Sequence, residues 1–405
     1  MAYNPDEIAK LIVGGGEFTD WQTVWVQHRW ADAFSLFRFT AAERGPPDNW
    51  QLLQFKPCDP CTITLAGKQA IKGHILTRQT AYDKSNHVVQ LSGKSLTTWA
   101  AKSSAYTKSG NFDGMNFVQV AKKLFEGYPN GVEVVGTPDP TPFDKLQIDA
   151  GKKIWDVLEN LARPRGIVMG SDQFGNFLII GPHTKPVNGQ LTEGVNIKSM
   201  QCTISVDENY TEYRTQGQSG GNDQHHGKDA SQQQGVAGGT GCARSVLIVM
   251  NEQPVKTPAE MQARAHNEAV WHEGYTITAS VVVQGWVRWG DGSDIWRVGD
   301  NVIVESPMAM LNGVAMKIQN ATFTQDDRNG TQTTLDLVLP WLLKDNLNLN
   351  VGKPGIPKEP AKEAPPPNQQ LKPTDTGNNP TAPTTPPPTT PPVVIPPFDI
   401  PPGGA

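Results

Sequence analysis

Asp291, Asp294 and Asp300 stand among glycines and a serine in the stretch GDGSDIWRVGDNV, residues 290–302. Carboxylates spaced around a glycine bend are what a calcium loop requires. That template asks for oxygen ligands at its first, third and fifth positions, glycine at the sixth and glutamate at the twelfth. Counted from Asp291, the later positions are Ser293, Ile295, Trp296 and Val302. The cation reading therefore fails on ligand position. The stretch reads instead as a sharp entry into a β-strand, with Gly299-Asp300 as the turn and alternation starting at Val302.

Other residues with chemical potential fare no better. Cys58 and Cys61 have the C-x₂-C spacing of half a zinc site, but Cys202 and Cys242 supply no second pair. A redox C-x₂-C should open a helix, whereas CTITLAGKQ reads as a strand. The four cysteines are thus expected to be reduced structural thiols. GQSGG (217–221) fits a nucleophile-elbow string but lies in a polar stretch instead of between a strand and a helix. His225 and His226, near Asp223, lie in the same stretch, where adjacent side chains point apart. Gly14-Gly15-Gly16 lacks dinucleotide-loop spacing, and neither a Walker A loop nor H-E-x-x-H appears. No catalytic residue, metal or cofactor is assigned.

Composition narrows the class. The chain has 405 residues, enough for two to three domains, and a net charge of −5. That charge argues against surface-wide nucleic-acid binding, which needs a basic face. No apolar run approaches the roughly 18–20 residues of a spanning helix, so stable membrane insertion is not expected. MAYNPDEIAKLIVGGGEF carries no signal-peptide pattern, which predicts folding in a cytoplasm.

Periodicity then gives the elements. Residues 1–100 read as short strands, among them WQTVWVQHRW (21–30) and FSLFRFTA (34–41). Residues 101–185 change to a small α/β unit. Helices are predicted over 116–128, with Phe117, Val120, Ala121, Leu124 and Phe125 on one face, and over 152–162, ended by Arg163-Pro164. A hairpin follows at 166–181. Residues 186–345 return to β, with one helix opened by Thr257-Pro258-Ala259-Glu260 and stopped near Gly274. A polar segment at 216–241, rich in Gly, Gln and Ser, is expected to be a loop. Residues 346–405 form a tail. Eighteen of the 52 residues from Pro354 onward are proline, which predicts an extended, polyproline II-like segment with an apolar tip, VVIPPFDIPP. Of the eleven tryptophans, Trp21, Trp25, Trp30, Trp286 and Trp289 fall in or beside predicted strands, where core or subunit-interface packing explains them better than sugar binding.

Two segments echo each other. Cys58–Lys94 and Gly299–Leu339 both run from an acidic turn through a β-run, an apolar-x-Gly step, a long strand, an Asp/Asn turn and a last strand. The step is Ile71-Lys72-Gly73 in one and Leu311-Asn312-Gly313 in the other. Gly73 and Gly313 are expected to permit close backbone approach, and Trp296, Val302 and Val304 to seat the second unit. The echo predicts two copies of one small barrel.

The WQTVWVQHRWADAFSLFRF strand pair, the CTITLAGKQAIKGHI step, the middle ending in RGIVMGSDQFGNFLII and the block IWRVGDNVIVESPMAMLNGVAMKIQNATFTQDDRNGTQTTLDLVLP together resemble the Mu-type phage tail hub, or baseplate hub, family. The resemblance covers roughly residues 5–345. It implies a mainly β protein with α+β character: two tail-tube-like β-barrel domains (1–100 and 186–345), a small α/β domain between them (101–185) and the extended Pro-rich tail. It also implies a non-enzymatic homotrimer in the virion tail, assembled in the bacterial host cytoplasm. Such a trimer joins a sixfold tail tube protein to a threefold central spike protein and surrounds a channel through which DNA passes as cargo. The tail is expected to reach other baseplate proteins. A genome-free, contractile-bacteriocin-like particle would use the same hub; a tail-tip cell-wall hydrolase or carbohydrate-binding module is the rival of another class.

Overall fold

The protein is described by a computed structural model over residues 7–42, 54–83, 87–106, 110–148, 151–183, 187–217, 233–250, 258–288 and 292–340. The GQSGG serine, the His225-His226 pair, Asp291, Trp289, Thr257 and the Pro-rich tail lie outside these residues.

Sequence alternation becomes strand in the first half. β1 (Ala9–Val13) and β2 (Gly16–Phe18) form a hairpin whose turn, Gly14-Gly15, holds φ of +57° and +86°. That is the structural use of the glycine cluster. β3 (Thr23–Arg29) buries Val24, Val26 and His28, and β4 (Leu36–Ala42) buries Phe37, Phe39 and Ala41. β5 (Pro60–Leu65), β6 (Lys68–Tyr82) and β7 (His87–Ser95) complete a meander.

The middle segment mixes helices and strands. α1 (Thr97–Lys102) enters it. α2 (Phe117–Leu124) is opened by a capping box in which Asn116 and Gln119 bond reciprocally, and it buries Phe117, Val120, Ala121 and Leu124. α3 (Ile154–Arg165) runs past Pro164 to Gly166, which takes φ of +58° as its C-cap. The sequence reading ended this helix at Arg163-Pro164. The left-handed glycine ends it instead, with its N–H bonded to carbonyls of the last turn. β8 (Val132–Val135) adds a parallel strand to the predicted hairpin of β9 (Val168–Ser171) and β10 (Phe177–Ile180). These elements share a core of their own, centred on Phe117, Leu158, Phe177 and Ile179.

The second half contains β11 (Val187–Thr192), β12 (Ile197–Ile204), β13 (Glu212–Gly217), β14 (Gln233–Gly238), β15 (Val246–Met250) and α4 (Pro258–Gly274). β16 (Ile277–Gln284), β17 (Asn301–Ser306), β18 (Leu311–Asp326) and β19 (Gly330–Val338) follow. The segment 216–241 was expected to be a loop, yet its ends belong to β13 and β14, which pair antiparallel. Strand formation there does not need large side chains, because Gly235 lets α4 lie directly on β14. A Cβ at Gly235 would stand 2.2 Å from the Met261 carbonyl oxygen. Gln262 then holds both Val236 N–H and O through its side-chain amide, at 3.1 and 2.6 Å.

Apart from β13, β14 and β15, which form a sheet of their own in the order β14-β13-β15, the strands of both halves join one sheet, in the order β12-β16-β19-β18-β3-β4-β7-β6-β5-β1-β2, with β17 on β18 and β11 parallel to β17. Two tail-tube-like β-barrel domains were expected. Among the described residues, neither half closes on itself. The cause is visible in β18. Its first part, to Lys317, pairs with β17, and the same edge from Asn320 to Gln325 is left over and taken by β3. Pairing that edge satisfies backbone groups and merges the apolar faces. One core cluster accordingly includes Val26, Phe37, Phe39 and Leu91 from the first half and Val281, Val304, Phe323 and Leu335 from the second.

Candidate functional site

The acidic loop that opened the sequence reading uses its carboxylates on arginine. Arg297 reaches Asp294 with two nitrogens, at 3.0 and 2.8 Å, and Asp294 also accepts from Ile295 N–H at 2.8 Å. Burial pushes the Asp294 carboxyl up, but the hydrogen bonds and charge of Arg297 outweigh it and hold the group below the ordinary carboxylate range. Asp300 lies 3.5 Å from Arg288, whose other nitrogen reaches Ser293 Oγ at 2.9 Å. The loop is also a junction. Arg297 donates to Gln69 O at 2.9 Å at the start of β6, and Gln69 donates to Gln173 O at 3.0 Å in the middle unit.

The larger feature is the doubled strand unit. β5, β6 and β7 have 6, 15 and 9 residues, and β17, β18 and β19 have 6, 16 and 9. Each long middle strand carries a register shift at the same depth, between Ile75 and Thr77 in one and Ile318 and Asn320 in the other. Each unit is entered by the same turn. Cys58 N–H donates to Ile75 O at 2.8 Å and Ile75 N–H to Asp59 O at 3.0 Å. In the second copy Gly299 N–H donates to Ile318 O at 2.8 Å and Ile318 N–H to Asp300 O at 2.9 Å. Cys58 and Gly299 hold nearly the same backbone angle, φ of +78° and +79°. The neighbours extend the match, since β4 pairs with β7 and β3 with β4, as β16 pairs with β19 and β12 with β16. Both halves therefore contain one five-stranded unit of identical strand order.

At the junction of the two units, His28 on β3 lies opposite Ala321 on β18 and edge-on to Phe323, with ring centroids 5.8 Å apart. Its Nδ1 is 3.3 Å from Ser35 Oγ. Burial, and secondarily the charge of Arg297, push its imidazole down to about 3, so it packs as a neutral ring. Trp30 follows it and closes on Gly299: a Cβ there would stand 2.3 Å from the indole. The same indole receives Lys317 Nζ at 5.6 Å from its ring centroid.

This geometry has known counterparts. Residues 100–181 match the family model for baseplate hub protein gp44-like, second domain. The 43 kDa tail protein of prophage MuSo2 from Shewanella oneidensis superposes with a TM-score of 0.70 at 22% identity, over 84% of this chain and 100% of that one. A tail protein from Neisseria meningitidis gives 0.69 at 20% identity, over 83% of this chain and 98% of that one. The prophage tail protein gp18 from Listeria monocytogenes gives 0.50 at 10% identity, over 81% and 94%. The chain shares the fold of these tail proteins, and its residues 100–181 resemble a baseplate hub domain. No curated protein matches it. The shared fold is mainly β.

Within this fold, the residues singled out from sequence take distinct places. Trp296, Val302 and Val304 are buried in the shared core, at 1%, 0% and 0% exposure. A Cβ at Gly73 would stand 2.0 Å from Lys94 O, so close backbone approach holds there. Gly313 differs. Its φ is +67° and a Cβ would meet nothing within 4 Å, so what it supplies is a left-handed turn of backbone. The two glycines are also not equivalent. Cys61 pairs with Gly73 where Val302 pairs with Met316, and Ile63 with Ile71 where Val304 pairs with Val314. Gly73 thus corresponds to Met316. Cys61 is buried in β5, and burial followed by the Asp59 charge pushes its thiol up to about 12, leaving it unreactive. Trp286 and Trp296 belong to the core rather than to a sugar-binding face. Sequence reasoning read Trp30 as a packing residue but missed His28 and Lys317, whose only signal was a polar residue on the inward phase of a strand.

Proposed function

We propose that this protein is the baseplate hub of a phage tail: a homotrimer that joins the sixfold tail tube to the threefold central spike and surrounds the channel DNA leaves through. The observation carrying this reading is the doubling of the five-stranded unit. Three copies of a chain with two like units present six like units to a sixfold tube while keeping threefold symmetry toward a spike. Closed symmetric rings also cover strand edges that would otherwise promote uncontrolled pairing. Trp296, Val302 and Val304 seat the second unit, and Gly73 and Gly313 shape the middle strands of the two. The role is architectural and non-enzymatic, with the tube protein, the spike and neighbouring baseplate proteins as partners. DNA is transiting cargo, which suits a net charge of −5. Assembly takes place in the host cytoplasm, and the Pro-rich tail tethers a baseplate neighbour.

Light scattering on the purified chain tests the reading. A particle near three times 44.1 kDa is expected. A monomer at micromolar concentration contradicts it.

A further inference from the structure

The two units meet inside one chain in a way that leaves each, among the described residues, with one unmatched edge. β18 shares its outer edge between β17 and β3. Its counterpart β6 is covered on that edge by β5 as far as His74 and by the Cys58-Asp59 turn at Ile75. Among the described residues, nothing pairs with the same edge of β6 from Thr77 to Tyr82. The counterpart of β3 is β12, which pairs with β16 on one side. Nothing among the described residues pairs with its other side. The chain therefore displays, at opposite ends of the repeat, the two halves of a junction it has already made once internally.

We infer that β12 of one copy pairs antiparallel with the Thr77–Tyr82 edge of β6 in a second copy of this chain, repeating the β18–β3 junction between subunits. The inference rests on the trimeric reading and adds its register. Following the paired strands of each unit, Val24 corresponds to Met200, Val26 to Cys202 and His28 to Ile204. By the shared register shift, Ala321 corresponds to Arg78, Phe323 to Thr80 and Gln325 to Tyr82. The internal pairs Ala321–His28, Phe323–Val26 and Gln325–Val24 then become Arg78–Ile204, Thr80–Cys202 and Tyr82–Met200 across the interface.

Exposure supports this. Val24 and Val26 are buried, at 2% and 0%, because β18 lies beside them. Met200 and Cys202 pack against the same core yet stay only half-buried, and Ile204 is 45% exposed. Tyr82 is 81% exposed on the facing edge. The Nε of Arg78 is buried without a hydrogen-bond partner. A polar group left so is costly unless a neighbour satisfies it. The pairing joins unlike edges, head to tail, which closes into a ring when the rotation fits.

Cys202 makes the register measurable. Directly opposed antiparallel residues lie about 4.5–5.5 Å apart between Cα atoms, within disulfide reach. In a Cys58→Ser, Cys242→Ser background, Thr80→Cys should form a disulfide with Cys202 of the neighbouring copy under a mild thiol oxidant such as diamide. Each disulfide forms with loss of two protons and two electrons to the oxidant. Covalent dimers and trimers are expected on a non-reducing gel. They should be lost when Cys202→Ser is added, or when Gln79→Cys, which faces the other way, replaces Thr80→Cys. The Tyr82→Cys, Met200→Cys double variant provides a second pair in the same register. If light scattering shows a trimer and neither pair cross-links, the register is overturned while the hub reading stands. A monomer that does not cross-link overturns both.

Discussion

His28 gives the junction between the two units a pH dependence that can be worked from its surroundings. The imidazole lies between β3 and β18, edge-on to Phe323, and folding lowers its pKa from 6.5 to about 3. The unfolded chain therefore binds a proton that the folded chain refuses. Stability from this group is complete above the unfolded value and is lost as pH falls toward the folded one. Each pH unit in that window removes about 1.4 kcal/mol, so about 2 kcal/mol is gone by about pH 5. Urea unfolding followed by tryptophan fluorescence at about pH 7, 6 and 5, at one protein concentration, reads this directly. His28→Gln has no imidazole to take up a proton on unfolding. It should be less stable at pH 7 through lost ring packing, yet fall less steeply with acid. His74, also held low by burial, adds a slope of the same sign to both proteins, so their difference isolates His28. Parallel stability–pH curves for the wild type and His28→Gln over this range would refute the reasoning.

The remaining predictions concern the doubled turns and strands. Gly73→Ala, which drives a Cβ into Lys94 O, should cost about 1–3 kcal/mol in chemical denaturation. Gly313→Ala meets open space and should cost only the left-handed backbone penalty, about 1 kcal/mol. Cys58→Gly should raise the urea midpoint modestly, because Cys58 holds φ of +78°, whereas Gly299→Ala at the equivalent turn should lower it by forcing Trp30 aside. Asp294→Asn removes the Arg297 pair and should cost about 1 kcal/mol at neutral pH, allowing for partial exposure. Since the folded carboxyl titrates below its ordinary range, that stability should vanish as pH falls through and below the carboxylate range.

Much of this was legible in the sequence, and the misses have physical causes. Setting Cys58-Asp59 beside Gly299-Asp300 placed the two entry turns correctly, because a positive φ after a proline or valine and before an aspartate leaves a readable pattern. The apolar-x-Gly step then misaligned the long strands by three residues. The first hairpin turns through Ala66-Gly67 and the second through Pro307–Met310, so the length difference falls before the glycines. The α/β middle was readable because α2 and α3 carry full apolar faces. β14 was not, since its glycines pack by backbone and leave no hydrophobic alternation. Nor was the β18–β3 pairing, which joins residues about three hundred positions apart and writes itself only as inward-facing Val24, Val26 and His28. The aspartates of the opening loop looked like ligands because the sequence does not show that Arg288 and Arg297 fold back onto Asp300 and Asp294.

Two like units in each chain, set around one ring, is the centre of the account, and electron microscopy of the purified protein viewed end-on tests it most directly. A closed ring of six similar lobes with threefold symmetry is predicted. Three well-separated lobes, or single particles with no ring, would contradict it.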